Sequence, residues 1–166
     1  MPKQLFKPDT FTVADSVGYL VKHAQRAMHD RIESAFASQS VTFQQWIVLM
    51  HLRDGMAGTV AELCRGTRHD SGAMTRLVDQ LEQRGLIERQ RKPGDRRVVD
   101  LALTPAGRKM VESLIPIAVD TLNHTLDGFT RQEVQQLQGF MRRIIARLGE
   151  IEAGEGLGPE LKKVKS

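Results

Sequence analysis

The sequence predicts a mainly α-helical protein with six helices and one β-hairpin. Most of its apolar residues recur at the three- and four-residue spacing of a helix face. Aromatic residues are only 5% of the 166 residues, and strand-like alternation is scarce outside the segment that follows Gly85. With 40% hydrophobic and 27% charged residues, we expect one domain, or a small domain with an extra lobe, around a buried core.

The first helix is predicted from about Ala14 to Ala37, because apolar residues form a stripe there at helical spacing. The stripe consists of Val17, Leu20, Val21, Ala24, Met28, Ile32, Ala35 and Phe36. Thr12 or Asp15 is expected to cap this helix, since either side chain can accept a hydrogen bond from a free backbone N–H. The preceding segment Met1–Phe11 contains two prolines and is expected to be an irregular arm.

Three further helices are predicted to begin at a threonine followed three residues later by Glu or Gln. These threonines are Thr42, Thr59 and Thr130. The pattern is typical of a capping box, in which two side chains satisfy backbone N–H groups at the helix start. It also arises by chance, but here each copy precedes an apolar-periodic stretch. We therefore predict the second helix at about Phe43–Arg53 and a short third helix at about Val60–Gly66.

A fourth helix follows the third after a short turn. Asp70 is its predicted cap, and Gly85 is its predicted terminating residue. The turn, Gly66–His69, contains the glycine that commonly joins two such helices. The third and fourth helices therefore match a helix-turn-helix.

The hydrophobic period changes to that of a hairpin after Gly85. Leu86–Arg91 and Val99–Leu103 are predicted strands, and Lys92–Asp95 has the composition of a tight turn. The hairpin tip is basic, with Arg91, Lys92, Arg96 and Arg97 against Asp95.

Two long helices are predicted after the hairpin. Thr104 and Pro105 are typical of a cap followed by the first helical residue, and the fifth helix is expected to run to about Asp127 with a kink at Pro116. The sixth helix is predicted at about Arg131–Ile151, and its apolar stripe has no obvious destination within the chain. An interface with a second subunit is the expected one.

The distribution of charge indicates a polyanionic partner. The chain has a net charge of +4, and the segment Arg65–Arg97 carries the whole excess, with nine basic and five acidic residues. A helix-turn-helix followed by a basic hairpin is the order of a winged helix. In that arrangement the N-terminal half of the second helix enters the major groove of DNA. The residues predicted to contact DNA are Ser71, Gly72, Thr75, Arg76, His69, Lys92, Arg96 and Arg97.

These residue types suit the grooves of a duplex. Gly72 permits close approach, Thr75 can donate to a phosphate, and Arg76 can bind guanine or phosphate. The hairpin arginines are expected in the adjacent minor groove, with Asp95 orienting one of them or capping the turn. Two alternatives do not involve DNA. Arg76 could pair with Asp79 or Gln80 on the helix surface, and the charged hairpin tip could simply be exposed to solvent.

Several motifs resemble those of one regulator family. The segment Asp95–Gly107 carries the pattern D-x-R…L-x-L-T-x-x-G, and Gly72–Arg76 with Gly85–Arg89 match a recognition helix and first strand. Thr42–Trp46 fits the preceding helix. With these motifs, over about Val41–Gly107, the sequence resembles the MarR family of transcriptional regulators.

The resemblance implies a homodimer that binds a pseudo-palindromic site in double-stranded DNA. It also implies a repressor that a small aromatic or phenolic compound releases. Residues 1–40 would form an arm and dimerisation helix, 41–104 the winged domain and 105–152 further dimerisation helices. The glycine- and lysine-rich composition of residues 153–166 predicts a disordered basic tail. By the same resemblance, we hypothesise that Asp70 pairs with Arg97 when DNA is absent.

Other candidate residues leave alternatives open. Cys64 is expected to be structural, with a redox sensor as the alternative. The five histidines show no zinc-ligand spacing, so we expect no metal and no cofactor. Trp46, His51 and His23 are candidates for an effector cavity, although Trp46 is more simply explained as core.

The sequence favours a regulator over other classes of protein. It lacks a phosphate-binding glycine loop and the G-x-S-x-G and H-E-x-x-H motifs, so we do not expect an enzyme. The N-terminus shows no signal-peptide pattern and no apolar run approaches a membrane span, so the expected location is the cytoplasm. Alternatives to a ligand-released repressor are a redox-responsive regulator acting through Cys64 and a winged-helix protein-interaction module without DNA binding.

Overall fold

Six α-helices and a two-stranded hairpin occur in the residues that the computed structural model describes, 5–92 and 95–152, which confirms the predicted fold class. Only the backbone is described for residues 91–92, 95–98 and 152. The elements are α1 Val17–Phe36, α2 Phe43–Arg53, α3 Val60–Thr67, α4 Ser71–Gln83, β1 Ile87–Lys92, β2 Asp95–Leu103, α5 Pro105–Thr125 and α6 Arg131–Glu152. A 3₁₀ turn at Ala37–Gln39, which the sequence did not predict, follows α1.

Two of the predicted capping boxes are complete. In α2 the Gln45 N–H donates to Thr42 Oγ1 and the Thr42 N–H donates to Gln45 Oε1, both at 3.2 Å. In α6 the Glu133 N–H donates to Thr130 Oγ1 at 3.2 Å, and the Thr130 N–H donates to the Glu133 carboxylate at 2.7 Å. Both helices therefore begin where the local sequence satisfies the first free N–H groups.

The start of α3 uses the same threonine with a displaced partner. The Glu62 N–H donates to Thr59 Oγ1 at 3.2 Å, as predicted. The Glu62 carboxylate reaches one residue further back and accepts the Gly58 N–H at 2.7 Å. This bond is the main reason why the pKa of Glu62 lies below its ordinary value, and the Thr59 hydroxyl lowers it further.

The predicted start of α1 was wrong by one turn. The helix begins at Val17, and its cap is Ser16, whose Oγ accepts the Tyr19 N–H at 3.4 Å. Thr12 and Asp15, the predicted caps, bond instead to each other at 2.5 Å in a turn that precedes the helix. Their side chains satisfy one another, so the helix begins at the next residue able to cap it.

The hairpin is an antiparallel pair that runs further toward its tip than predicted. Ile87 lies opposite Leu103 and Arg89 opposite Leu101, and β2 begins at Asp95 rather than at Val99. The charged residues at the tip extend the ladder because backbone pairing does not depend on side-chain polarity.

Two apolar clusters join the elements. The first lies beneath the helix-turn-helix and the hairpin and includes Leu49, Leu63, Met74, Val78, Leu81, Ile87, Leu101, Leu103 and Val111. The second joins α1, α2 and α5 through Ile32, Phe36, Val41, Trp46, Leu114 and Ala118. Helix α5 contributes to both clusters, so it connects α1 to the winged part of the chain.

The start of α5 is fixed against the end of α4. The Thr104 hydroxyl donates to the Gly85 carbonyl at 2.6 Å and accepts the Gly107 N–H at 3.0 Å. The Thr104 N–H donates to the Leu86 carbonyl at 3.1 Å. Gly107 faces this backbone so closely that a Cβ there would lie 2.9 Å from the Leu86 carbonyl carbon. Only glycine fits at this position without a shift of the backbone.

The chain divides into two compact units, one up to Thr125 and the other from Leu126. In the second unit, large apolar side chains of α6 are exposed, namely Leu137, Phe140, Ile144, Ile145 and Leu148. None of the helices in the described ranges combines the length and apolar character that a membrane span requires.

Candidate DNA-binding surface

The N-terminal half of α4 has an exposed face over a buried one. Met74, Val78 and Leu81 are fully buried in the apolar cluster beneath the helix-turn-helix. The four residues predicted to face DNA from this helix, Ser71, Gly72, Thr75 and Arg76, are all exposed. The face of α4 that was predicted to meet DNA is therefore the exposed one.

Asp70 caps α4 as predicted. Its Oδ1 accepts the Ala73 N–H at 2.8 Å. This bond is the main reason why the pKa of Asp70 lies below its ordinary value, and the Arg76 guanidinium lowers it further. The carboxylate is therefore ionised at neutral pH, and its negative charge interacts favourably with the positive N-terminal end of the α4 dipole. Arg97, its hypothesised partner, has a side chain outside the described residues.

The side chain of Arg76 is available to a ligand. It makes no ion pair with any residue whose side chain the structure describes. The two alternative partners considered for it are engaged elsewhere: Asp79 pairs with Arg89, and Gln80 bonds to Gln45. The Thr75 hydroxyl donates its hydrogen to the Ser71 carbonyl at 2.8 Å, so in this conformation it does not offer a phosphate the donor that the sequence predicted.

The turn before α4 has a strained residue and a half-buried histidine. Arg68 adopts a left-handed conformation with φ of 55°. The Nδ1 of His69 lies 3.2 Å from the Thr67 carbonyl oxygen, a distance at which the ring stabilises the turn. His69 was predicted to contact DNA, and that role stays a prediction beside this contact within the turn.

An ion-pair cluster that sequence reasoning missed fastens the hairpin to α4. Arg89 on β1 donates to Asp79 Oδ1 at 2.6 Å and also to the Glu82 carboxylate. The hydrogen bond with Asp79 is the largest reason why the pKa of Arg89 is raised. A signal was present, because Asp79 and Glu82 lie three residues apart on one helix face, but their partner is on another element.

The hairpin tip was predicted to carry a second set of DNA contacts. The side chains of Lys92, Asp95, Arg96 and Arg97 lie outside the described residues, although their backbone belongs to β1 and β2. Their predicted roles therefore stay predictions.

Comparison with known proteins identifies the family. The sequence model of the MarR family matches residues 39–98, which include α2, α3, α4 and β1. The transcriptional repressor NicR of Pseudomonas putida is 30% identical over 135 residues, which cover 81% of this chain and 85% of NicR. The chain belongs to the MarR family.

Solved structures of MarR and of a second protein, BpsR, have the same fold. A MarR mutant from Escherichia coli, in complex with operator DNA, aligns with a TM-score of 0.72 at 26% identity, covering 82% of this chain and 98% of that one. BpsR of Bordetella bronchiseptica, whose DNA binding is regulated by 6-hydroxynicotinic acid, also aligns with a TM-score of 0.72 at 26% identity, covering 81% and 96%.

The three residues predicted to line an effector cavity have different neighbours in this MarR-family chain. Trp46 is 9% exposed and packs its ring against Phe36 at 5.4 Å. Its ring N–H is buried without a hydrogen-bond partner in the described part of the chain. His51 donates from Nδ1 to the Ile47 carbonyl at 2.9 Å. His23 is exposed, and its ring is tilted by 47° against the Tyr19 ring, with 4.2 Å between the ring centroids.

The structure also shows the surroundings of Cys64 and of the residue types that bind metals. Cys64 is a free thiol, partly buried against the apolar cluster beneath the helix-turn-helix, as a structural residue would be. Among the described residues, no three histidine, cysteine or acidic side chains come close enough to hold a metal ion.

Proposed function

We propose that this MarR-family protein is a sequence-specific DNA-binding transcriptional regulator that acts as a homodimeric repressor. The observation that carries the proposal is the exposed face of α4, on which Arg76 has no ion-pair partner among the described side chains. The major groove of B-DNA is about 12 Å wide and admits one helix. Helix α4 is therefore the proposed recognition helix, with Ser71, Gly72 and Thr75 beside Arg76 at the DNA.

The hairpin supplies the second proposed contact. Arg96 and Arg97 suit a narrow minor groove, where negative potential is concentrated, and Lys92 suits a phosphate. The Arg89 cluster supports this proposal because it ties β1 to the recognition helix. Both elements can then meet a duplex as one rigid surface.

Dimerisation follows from the exposed apolar residues. Five large apolar side chains of α6 are between 38% and 62% exposed, and an exposed apolar patch commonly marks a surface that binds another protein. We propose that α1, α5 and α6 supply the dimer contacts and that residues 41–104 form the DNA-binding part. Two recognition helices in successive major grooves would lie about 34 Å apart, on a pseudo-palindromic site.

Release by a small aromatic or phenolic ligand is the proposed regulation. BpsR, whose DNA binding is regulated by 6-hydroxynicotinic acid, supports it. The buried ring N–H of Trp46 without a partner also supports it, because a hydrogen-bond acceptor on a ligand would satisfy that group. The proposed role is binding rather than catalysis, on DNA in the cytoplasm.

The proposal is tested by selecting bound sequences from a random duplex pool and titrating the selected site against salt. The logarithm of the affinity should fall linearly with the logarithm of the salt concentration, with a slope of about −0.9 for each phosphate neutralised. A panel of aromatic acids, with 6-hydroxynicotinic acid included, is then tested for release. An unselected pool, or an affinity that does not change with salt, would contradict the proposal.

A further inference from the structure

Gln45 of α2 is the only buried polar side chain in the part of the chain that the structure describes. It is 7% exposed, whereas every other buried side chain there is hydrophobic, apart from a glycine in α5. A buried amide costs free energy unless its donors and acceptor are bonded. Its hydrogen bonds therefore show what this residue holds together.

The Gln45 amide joins the start of α2 to the recognition helix α4. Its Oε1 accepts the Thr42 N–H at 3.2 Å and a guanidinium N–H of Arg84 at 3.3 Å. Its Nε2 donates to Oε1 of Gln80 at 3.0 Å. One side chain thus completes the capping box of α2 and also bonds to two residues at the C-terminal end of α4.

The first turn of α2, which carries Gln45, is itself held in place by α1. The neighbouring Phe43 N–H donates to the Glu33 carboxylate of α1 at 2.6 Å. Since the first turn of α2 is bonded to α1 and capped by Thr42, the Gln45 side chain projects toward α4 from a position with little freedom.

The bond to Gln80 lies on the same side of α4 as the proposed DNA contact. Gln80 follows Arg76 by four residues, and residues with this spacing are neighbours on a helix surface. The apolar contacts beneath α4 are not directional, whereas a hydrogen bond requires a defined distance and angle. The Gln45–Gln80 bond therefore constrains the rotation of α4 about its own axis, together with the bonds from Arg89 to Asp79 and Glu82 on the same helix.

A small rotation of α4 would matter for base recognition. A helix with its side chains has a radius of about 5–6 Å, so a roll of about 10° moves a side-chain end by about 1 Å. A shift of that size misaligns the paired hydrogen bonds through which an arginine distinguishes a base.

We infer that Gln45 is a positioning residue for DNA recognition: it fixes the rotational setting of α4 through Gln80 and thereby sets the base preference of Arg76. The inference rests on the proposed function, since it concerns how the proposed recognition helix is held. Gln45 itself touches no DNA in this account.

The test compares base preference among neutral variants of the full chain. Gln45→Met and Gln80→Met each remove the bond without changing the net charge, and methionine has a helix propensity close to that of glutamine. Gln83→Met is the matched control, because Gln83 is exposed on α4 and no hydrogen bond is described for it. The affinity of each variant and of the double variant is measured for the selected site and for every single-base change in it.

Gln80→Met is expected to lower the ratio of specific to non-specific affinity about fivefold to tenfold, the range expected for one lost hydrogen bond. Gln45→Met should lower it at least as much, and the double variant should lose no more than the larger single effect. Gln83→Met should match the wild type. If Gln45→Met does not fold, Gln80→Met alone still decides, since Gln80 is exposed and outside the core.

The two failures are distinguishable. A wild type that selects a sequence, with a Gln80→Met variant of the same base preference, would overturn this inference and leave the proposed function intact. Independent, multiplying effects of the two substitutions would overturn it as well. A wild type that selects no sequence would overturn the proposed function and this inference together.

Discussion

Replacing Gly107 with alanine should destabilise the protein more than any other single-methyl change we can identify. The added Cβ would lie 2.9 Å from the Leu86 carbonyl carbon, closer still to its oxygen, and 3.3 Å from a methyl group of Leu103. The Leu86 carbonyl cannot rotate away freely, because it accepts the Thr104 N–H at 3.1 Å. The backbone of α5 must therefore move away from the hairpin.

The cost has two parts. Inserting a methyl group into a packed site typically costs about 1–3 kcal/mol, and weakening the Thr104 hydrogen bonds adds about 1 kcal/mol. We therefore expect a loss of about 2–4 kcal/mol in the free energy of unfolding. With an m-value of about 2 kcal/mol per molar urea, the unfolding midpoint should fall by about 1–2 M.

The assay is urea unfolding followed by circular dichroism at one fixed protein concentration, because a dimer's stability depends on concentration. Gly139→Ala in α6 is the control, since no described atom lies within 4 Å of the added Cβ. That change should stabilise the helix by up to about 1 kcal/mol. A Gly107→Ala midpoint equal to that of the wild type would refute the packing argument.

Three further changes have defined expectations. The pKa of Asp70 is lowered in the folded protein. The ionised carboxylate therefore stabilises the fold above about pH 4, and this stabilisation is lost as the pH falls through the lowered pKa. Asp70→Ala should flatten the pH dependence of the unfolding midpoint in that range. Arg89→Gln should lower the free energy of unfolding by about 1 kcal/mol, because the ion pairs of Arg89 are partly exposed. In a double-mutant cycle with Asp79→Asn, measured by urea unfolding, the two losses in stability should be non-additive. Peroxide treatment should leave DNA affinity unchanged, because Cys64 packs against the core; loss of binding that Cys64→Ser prevents would instead favour the redox alternative.

The sequence predicted best those helix starts whose capping hydrogen bonds join residues within one helical turn. The capping boxes at Thr42 and Thr130 formed as expected because both partners lie three residues apart. At the start of α3 the Glu62 carboxylate accepts the Gly58 N–H instead of the Thr59 N–H. At the start of α1 the predicted caps Thr12 and Asp15 bond to each other, and Ser16 caps the helix. Local rules identified the right kind of residue there but could not rank neighbouring candidates.

Contacts between distant residues were beyond sequence reasoning. The exposed face of α4 follows from its period, but the Arg89 bonds with Asp79 and the Gln45 bond with Gln80 join residues 10 and 35 positions apart. Their formation depends on how the elements pack, which no local pattern records. Gly107 is a further case, because its position in the sequence motif does not show that the Leu86 carbonyl excludes a Cβ there.

The most direct test of the account is the base preference of an Arg76→Ala variant, measured against single-base changes of the selected site at fixed salt. We expect weaker binding to that site and a loss of discrimination, worth about 1–3 kcal/mol, at one symmetric pair of positions. An Arg76→Ala protein with the affinity and the base preference of the wild type would contradict the assignment of α4 as the recognition helix.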